Sequence, residues 1–157
     1  MRTMLNLLDA LATLNAALVG KIRSITAYDE ALALYSDKSY GKALPLMIEA
    51  AELGNVQAMS LLGSMYLLGQ GVREDGRLAV LWLQHAMDGG YESAASVLGM
   101  AHATGKAGVK IDLPKARILL EAAASKGDAQ SARMLEMIDK GEGMFAGLGR
   151  GRQRNSR

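Results

Sequence analysis

Thirty-six residues separate Gly54 from Gly90, 37 separate Gly90 from Gly127, and between these glycines the chain writes one pattern twice. The first copy reads Ala58, Leu62-Gly63, Tyr66, Gly69-Gln70-Gly71-Val72, Asp75, Ala79, Trp82 and Ala86. The second reads Ala94, Leu98-Gly99, His102, Gly105-Lys106-Ala107-Gly108-Val109, Asp112, Ala116, Leu119 and Ala123, with its extra residue in the glycine loop. A period of this size marks supersecondary units that cannot bury their apolar faces alone and must stack. Half of the 157 residues are apolar but only 4% are aromatic, so the core has to be built from Ala, Leu and Met. Small side chains let helices approach closely, and alternating strand-like runs are rare, so an all-α solenoid is predicted.

Helix signals divide the chain further. A first helix is expected over residues 3–19, ending at Gly20, and a second over 27–35. A third is expected over 42–53, with Pro45 in its first turn and Gly54 as its left-handed cap. Helix A of the first full repeat spans Val56 to Leu68. Helix B follows from Gly76 to Met87, capped by Asp75, and Asp112 repeats that cap ahead of Pro114. A last helix A starts at Asp128, carries Ala132, Leu135 and Ile138, and reaches the glycines after Lys140. No helix B follows it. The expected organisation is an N-terminal amphipathic capping helix in 1–26, a repeat array in 27–144 (units 27–54, 55–90, 91–127 and 128–144) and a Gly/Arg-rich tail in 145–157. Within helix A, Ala58, Leu62 and Tyr66 lie at i, i+4 and i+8, one buried stripe repeated by Ala94, Leu98 and His102. Gly63 and Gly99 sit mid-helix at equivalent positions, where each costs about 1 kcal/mol relative to alanine. A cost taken twice implies a neighbouring helix pressed close.

These residues resemble the Sel-one-like repeat, a variant of the tetratricopeptide helix–turn–helix. The resemblance covers 27–144, starting with a shorter unit through Ala31, Tyr35, Tyr40, Ala43-Leu44, Ala51 and Gly54. It departs from the family pattern at His102 for Tyr and at Leu119-Leu120 for Trp-Tyr. It implies an α-solenoid without catalytic residues that binds a protein or peptide partner, as adaptor or scaffold, on a concave face lined by helix A. By analogy with tetratricopeptide geometry that face takes Asp29 and Ala33, then Gln57, Ser60, Ser64 and Leu68. It continues through Ser93, Ser96, Met100 and Thr104, and ends with Gln130, Arg133 and Met137. An alternative within the family is a bacterial immunity protein that neutralises a toxin or effector. The unpaired last helix, with Met134, Met137, Ile138, Met144 and Phe145, offers a surface for a partner or for self-association.

The remaining signals are mostly exclusions. No cysteine is present, which removes disulfides, thiolate catalysis and cysteine-based metal sites. His85 reads as solvated and His102 as a hydrogen-bonded core residue, so no metal is expected. Gly69-Gln70-Gly71-Val72 follows no strand and lacks a third glycine, so it is not a dinucleotide fingerprint. No cofactor or enzymatic activity is expected. Of 18 basic residues, four are Arg150, Arg152, Arg154 and Arg157 in the tail, leaving 14 against 16 acidic elsewhere. The body of the chain is therefore no nucleic-acid surface, and the tail alone supports a weaker reading as a nucleic-acid accessory protein. Met4 to Val19 is apolar, but Asn6, Asp9 and Thr13 form a polar stripe. That favours an amphipathic helix over a secretory signal or a membrane span, and a cytoplasmic over a periplasmic location.

Overall fold

The computed structural model describes residues 2–141, and the Gly/Arg-rich tail lies outside them. Seven α-helices and one short 3-10 turn make up the described chain: α1 (Arg2–Ser36), α2 (Tyr40–Glu52), α3 (Val56–Leu68), α4 (Gly76–Asp88), α5 (Ala94–Thr104), the 3-10 turn Lys106–Gly108, α6 (Leu113–Ala124) and α7 (Ala129–Lys140). Consecutive helices pack on one another, and α3 also touches α5, which touches α7. This is the stacking of a solenoid: α3, α5 and α7 form one layer of A helices, and α2, α4 and α6 form the other. Three apolar clusters run through it. One joins α1, α2 and α3 around Met47, Leu62 and Met65. The next joins α3, α4 and α5 around Leu83 and Leu98. The last joins α5, α6 and α7 around Leu120.

The predicted boundary at Gly20 is corrected: α1 is one helix of 35 residues. Gly20 does not take the left-handed conformation that ends a helix, and no proline lies within α1. A lone glycine in a helix costs about 1 kcal/mol, which the flanking turns absorb. Only the C-terminal part of α1 serves the array, burying Ser24, Ala27 and Ala31. A second correction concerns Pro45. Helix α2 starts at Tyr40, two residues earlier than expected, so the proline lies inside the helix. Its missing N–H leaves the carbonyl of Gly41 without a helical donor near the helix start.

The period is carried by glycines in equivalent places. Gly54, Gly90 and Gly127 close the units with φ of 90°, 91° and 92°, a region where only glycine is unstrained. Asp75, Asp112 and Asp128 cap α4, α6 and α7 through their carboxylates, and Asn55 caps α3 by accepting from the Ala58 N–H at 2.9 Å. The extra residue of the second loop is absorbed in the 3-10 turn, where Ala107 takes φ 55°. Within helix A, Ala58 and Leu62 are fully buried and Tyr66 is half-buried. In the last unit the equivalent of Ala58 and Ala94 is Ser131, fully buried, while Ala132 is exposed.

Gly63 and Gly99 explain how the layers approach. A Cβ on Gly63 would lie 2.7 Å from Leu83 Cγ and 3.1 Å from the Ala79 carbonyl oxygen. On Gly99 it would lie 2.9 Å from Leu120 Cγ. Leu83 and Leu120 are fully buried, so each glycine is the notch that receives a leucine of the paired helix B. Gly63→Ala should therefore lose stability: overpacking costs about 1–3 kcal/mol, against about 1 kcal/mol of gained helix propensity. Gly20→Ala meets nothing within 4 Å and should gain up to about 1 kcal/mol. Urea unfolding of both variants checks this. A Gly63→Ala protein more stable than wild type would show that α3 and α4 separate freely.

Candidate functional site

The A helices line a pair of adjoining grooves. One, of about 310 Å³, lies between α3 and α5 and takes Ser64 and Leu68 from the first, with Val97, Met100 and Thr104 from the second. Gln130 of α7 and Lys106 close its end. The other, of about 490 Å³, lies between α5 and α7 and takes Ser93, Ser96, Met100, Asp128 and Gln130, with Glu92 and Lys126 at its edge. Val97, Met100 and Gln130 belong to both, so the two form one trough across three repeats. Its floor is apolar, from Leu67, Val97, Met100 and Ala101, and its margins carry hydroxyls, an amide and the Glu92–Lys126 ion pair.

Seven of the residues expected on the concave face are thus brought together: Ser64, Leu68, Ser93, Ser96, Met100, Thr104 and Gln130. Gln57 lines a separate groove of about 430 Å³ between the α2–α3 turn and α1. Asp29, Arg133 and Met137 are exposed and line none of these grooves. Ser60 is only 8% exposed, too little for a partner to reach its side chain. Val97, Lys106, Glu92 and Lys126 were not anticipated. Val97 looks like core in a helix pattern, and the other three stand at helix ends, where spacing along helix A gives no signal.

The hydroxyls are held locally. Ser64 Oγ donates to the Ser60 carbonyl at 3.1 Å and Thr104 Oγ1 to that of Met100 at 2.8 Å. Ser96 Oγ donates to the Asp128 carboxylate at 2.6 Å and lies 3.0 Å from Ser131 Oγ. Asp128 also accepts from the Ser131 hydroxyl and from the backbone N–H groups of Ser131 and Gln130. The Ser131 hydroxyl, then that of Ser96, lowers the Asp128 pKa from 3.8 to about 2 against the opposing effect of burial. One ionised carboxylate therefore caps α7 and ties it to α5 at the margin of the trough.

Elsewhere the expected titratable residues carry no constellation. His102 is buried, with Nδ1 3.3 Å from the Lys110 carbonyl oxygen and Nε2 without a partner. His85 is exposed and packs edge-on against Trp82 at 6.0 Å. Among the described residues no cluster of three or more His, Asp or Glu could hold a metal ion, and no helix is long and apolar enough to cross a membrane. The last helix does not present its apolar side outwards: Met134, Leu135 and Ile138 pack on the Leu120 cluster. Met137 remains 39% exposed, and Met144 and Phe145 lie outside the described residues.

A repeat array with this trough defines a class, the helical-repeat interaction proteins. The Sel1 repeat model matches residues 32–55, 56–91 and 92–128, more than half of the chain, and the protein belongs to the Sel1 repeat family. Proteins of this family generally mediate protein–protein interactions and are typically non-catalytic scaffolds. Among solved structures, the chain is similar to the protective antigen c5321 of uropathogenic Escherichia coli, which displays an SLR fold, at 30% identity and a TM-score of 0.67. That match covers 75% of this chain and 26% of the antigen. A Sel1 repeat protein of Oxalobacter formigenes is 24% identical with a TM-score of 0.63, over 73% of this chain and 47% of that one. Cysteine rich protein B of Helicobacter pylori is 22% identical with a TM-score of 0.57, over 80% and 94% respectively. This chain thus spans about a quarter of the first and about half of the second. No curated protein is similar enough in sequence to count as a match.

Asp128 gives the site a pH signature. Its pKa is depressed in the fold, so its stabilising effect is complete above the unfolded value of 3.8 and is lost as pH falls towards about 2. Asp128→Asn keeps an N-cap acceptor but loses the ionised one. The variant should melt below wild type at neutral pH, and the difference should close between about pH 4 and pH 2. Melting curves followed by circular dichroism across that window check it; a gap independent of pH would place the effect elsewhere than on the charge.

Proposed function

We infer that the protein is a non-catalytic interaction module that seats a segment of a partner protein in the trough formed by α3, α5 and α7. The observation that carries this reading is the continuity of the trough: Ser64, Leu68, Met100, Thr104 and Gln130 from three successive A helices line one apolar channel with polar margins. Grooves of a few hundred Å³ suit side chains of an extended peptide or a loop. Met100, shared by both, is an adaptable contact that accepts different apolar shapes. Leu68, 54% exposed, gives the partner an apolar edge.

Use as an adaptor and use as an inhibitor of a toxin or effector need the same face. They differ in the partner: several components of one pathway for the first, one small protein in equal ratio for the second. Affinity capture from a lysate with mass spectrometry distinguishes them. Capture should be lost with Leu68→Arg combined with Gln130→Arg, since both are exposed and neither supports the core. It should persist with Ile118→Arg, a residue 68% exposed on α6 in the other layer. Capture that survives the trough substitutions and is lost with the α6 one would move the binding face to the B helices.

A further inference from the structure

The N-terminal half of α1 leaves the array behind and carries an apolar seam that stays exposed among the described residues. Leu8, Leu11, Leu18, Ile22 and Ile25 are between 51% and 63% exposed. Together with Asn15 they fall at 8, 11, 15, 18, 22 and 25, alternating steps of three and four. That is the a/d pattern of a coiled coil, with Leu8, Asn15 and Ile22 at a and Leu11, Leu18 and Ile25 at d. The face of α1 that enters the array, with Ser24, Ala27 and Ala31 buried, lies about 180° round the helix from this seam at 100° per residue. From Leu8 to Ile22 the seam is therefore turned away from the repeats, and its last position, Ile25, borders the groove beside the α2–α3 turn, where a paired helix would end.

We propose that α1 pairs with α1 of a second copy of this chain as a parallel, in-register coiled coil centred on Asn15. Three observations select a second copy over other occupants. Asn15 interrupts the seam with a group that both donates and accepts, so an identical asparagine across a two-fold axis satisfies it, and an asparagine at a fixes register and strand number. The area is sufficient: with Leu14 and Val19 flanking the seam, seven large apolar side chains each expose on the order of 100 Å², and two copies cover roughly 1,400 Å², within the range of stable interfaces. The opposite face carries Asn6, Asp9 and Thr13 with Arg2 as its single cation, short of the lysine- and arginine-rich face of helices that lie on lipid. In-register pairing puts the two arrays on the outer sides of the coil, because the face of α1 that enters the array lies opposite the seam.

Sedimentation of the full chain decides this, at concentrations up to roughly 100 μM, well above the Kd of a stable dimer. Wild type should run at twice the 16.7 kDa of one chain, and Leu18→Asp with Ile22→Asp should halve that mass. Both substitutions are at exposed positions outside the three core clusters, so the repeats stay folded, as circular dichroism would verify. The chain has no cysteine, so Asn15→Cys under oxidation should give one covalent dimer on a non-reducing gel. A wild-type monomer overturns the proposal, as does a dimer that survives the aspartates or that Asn15→Cys fails to cross-link. A monomer that co-sediments with mixed phosphatidylcholine–phosphatidylglycerol vesicles would assign the seam to a lipid surface instead.

Discussion

The close approach of each helix A to its helix B is the constraint on which the rest of the architecture depends. With only 4% aromatic residues, the core cannot be filled by large rings, and packing density has to come from bringing backbones together. Gly63 and Gly99 supply the notches and Leu83 and Leu120 the knobs, at separations that leave no room for one added carbon. Ala58, Ala79 and Ala86 in one unit, and Ala94, Ala116 and Ala123 in the next, keep the rest of that interface equally thin. Each pair so locked presents its flanks to the next. The trough is the consequence on the A side, where α3, α5 and α7 lie next to one another.

Charge plays a smaller part in holding the array. Arg23 and Glu49 join α1 to α2 through two bonds of 2.6 and 2.7 Å, and Arg117 and Asp139 join α6 to α7. Lys106 and Glu74 link the loops of successive units at 2.9 Å. These side chains are about 40% exposed or more, apart from the Glu49 carboxylate at 39%, and exposed pairs contribute little to stability. Asp128 differs because its partners are neutral hydroxyls and backbone N–H groups held in place by packing. A fixed dipole set around one carboxylate stabilises the charge without needing a counter-ion. It also fixes Ser96 and the backbone of Gln130, so the trough's margin beside α7 is set by the same group that starts that helix.

Much of this was legible in the sequence because a repeat tests every inference twice. The caps at Asp75 and Asp112, the closing glycines and the notches at Gly63 and Gly99 could each be read from one copy and checked in the other. Reading failed where no second copy existed. Gly20 resembles a helix stop, but stopping needs a left-handed residue with a chain reversal after it, and neither is encoded by a glycine alone. Ser131 was hidden behind its neighbour Ala132, since composition favours alanine as the buried residue. The 37-residue spacing from Ala94 points to Ser131, and only the Ser96–Asp128 pair explains why a hydroxyl is tolerated there. The trough was half legible: periodicity identifies the helix face, but whether a hydroxyl such as that of Ser60 is open or covered depends on how closely the next unit leans over it.

A stacked array has two ends, and each leaves an apolar face that its interior units would have covered. At the C-terminal end α7 folds its apolar residues back on α5 and α6, and Asp139 and Lys140 face solvent. Only Met137 of its larger apolar side chains stays exposed beyond a third, so that end is nearly closed within the chain. The N-terminal end is treated in the opposite way. Its first helix is prolonged well past the point where the array needs it, and the added turns are richer in exposed leucine and isoleucine than any other helix. A free helix that exposes leucine and isoleucine along one face is a liability in water unless that face is covered by pairing. An extension that costs solubility and adds nothing to the repeat core is best explained by a contact outside the monomer. The heptad spacing, the central asparagine and the placement of the seam opposite the array make that contact another α1.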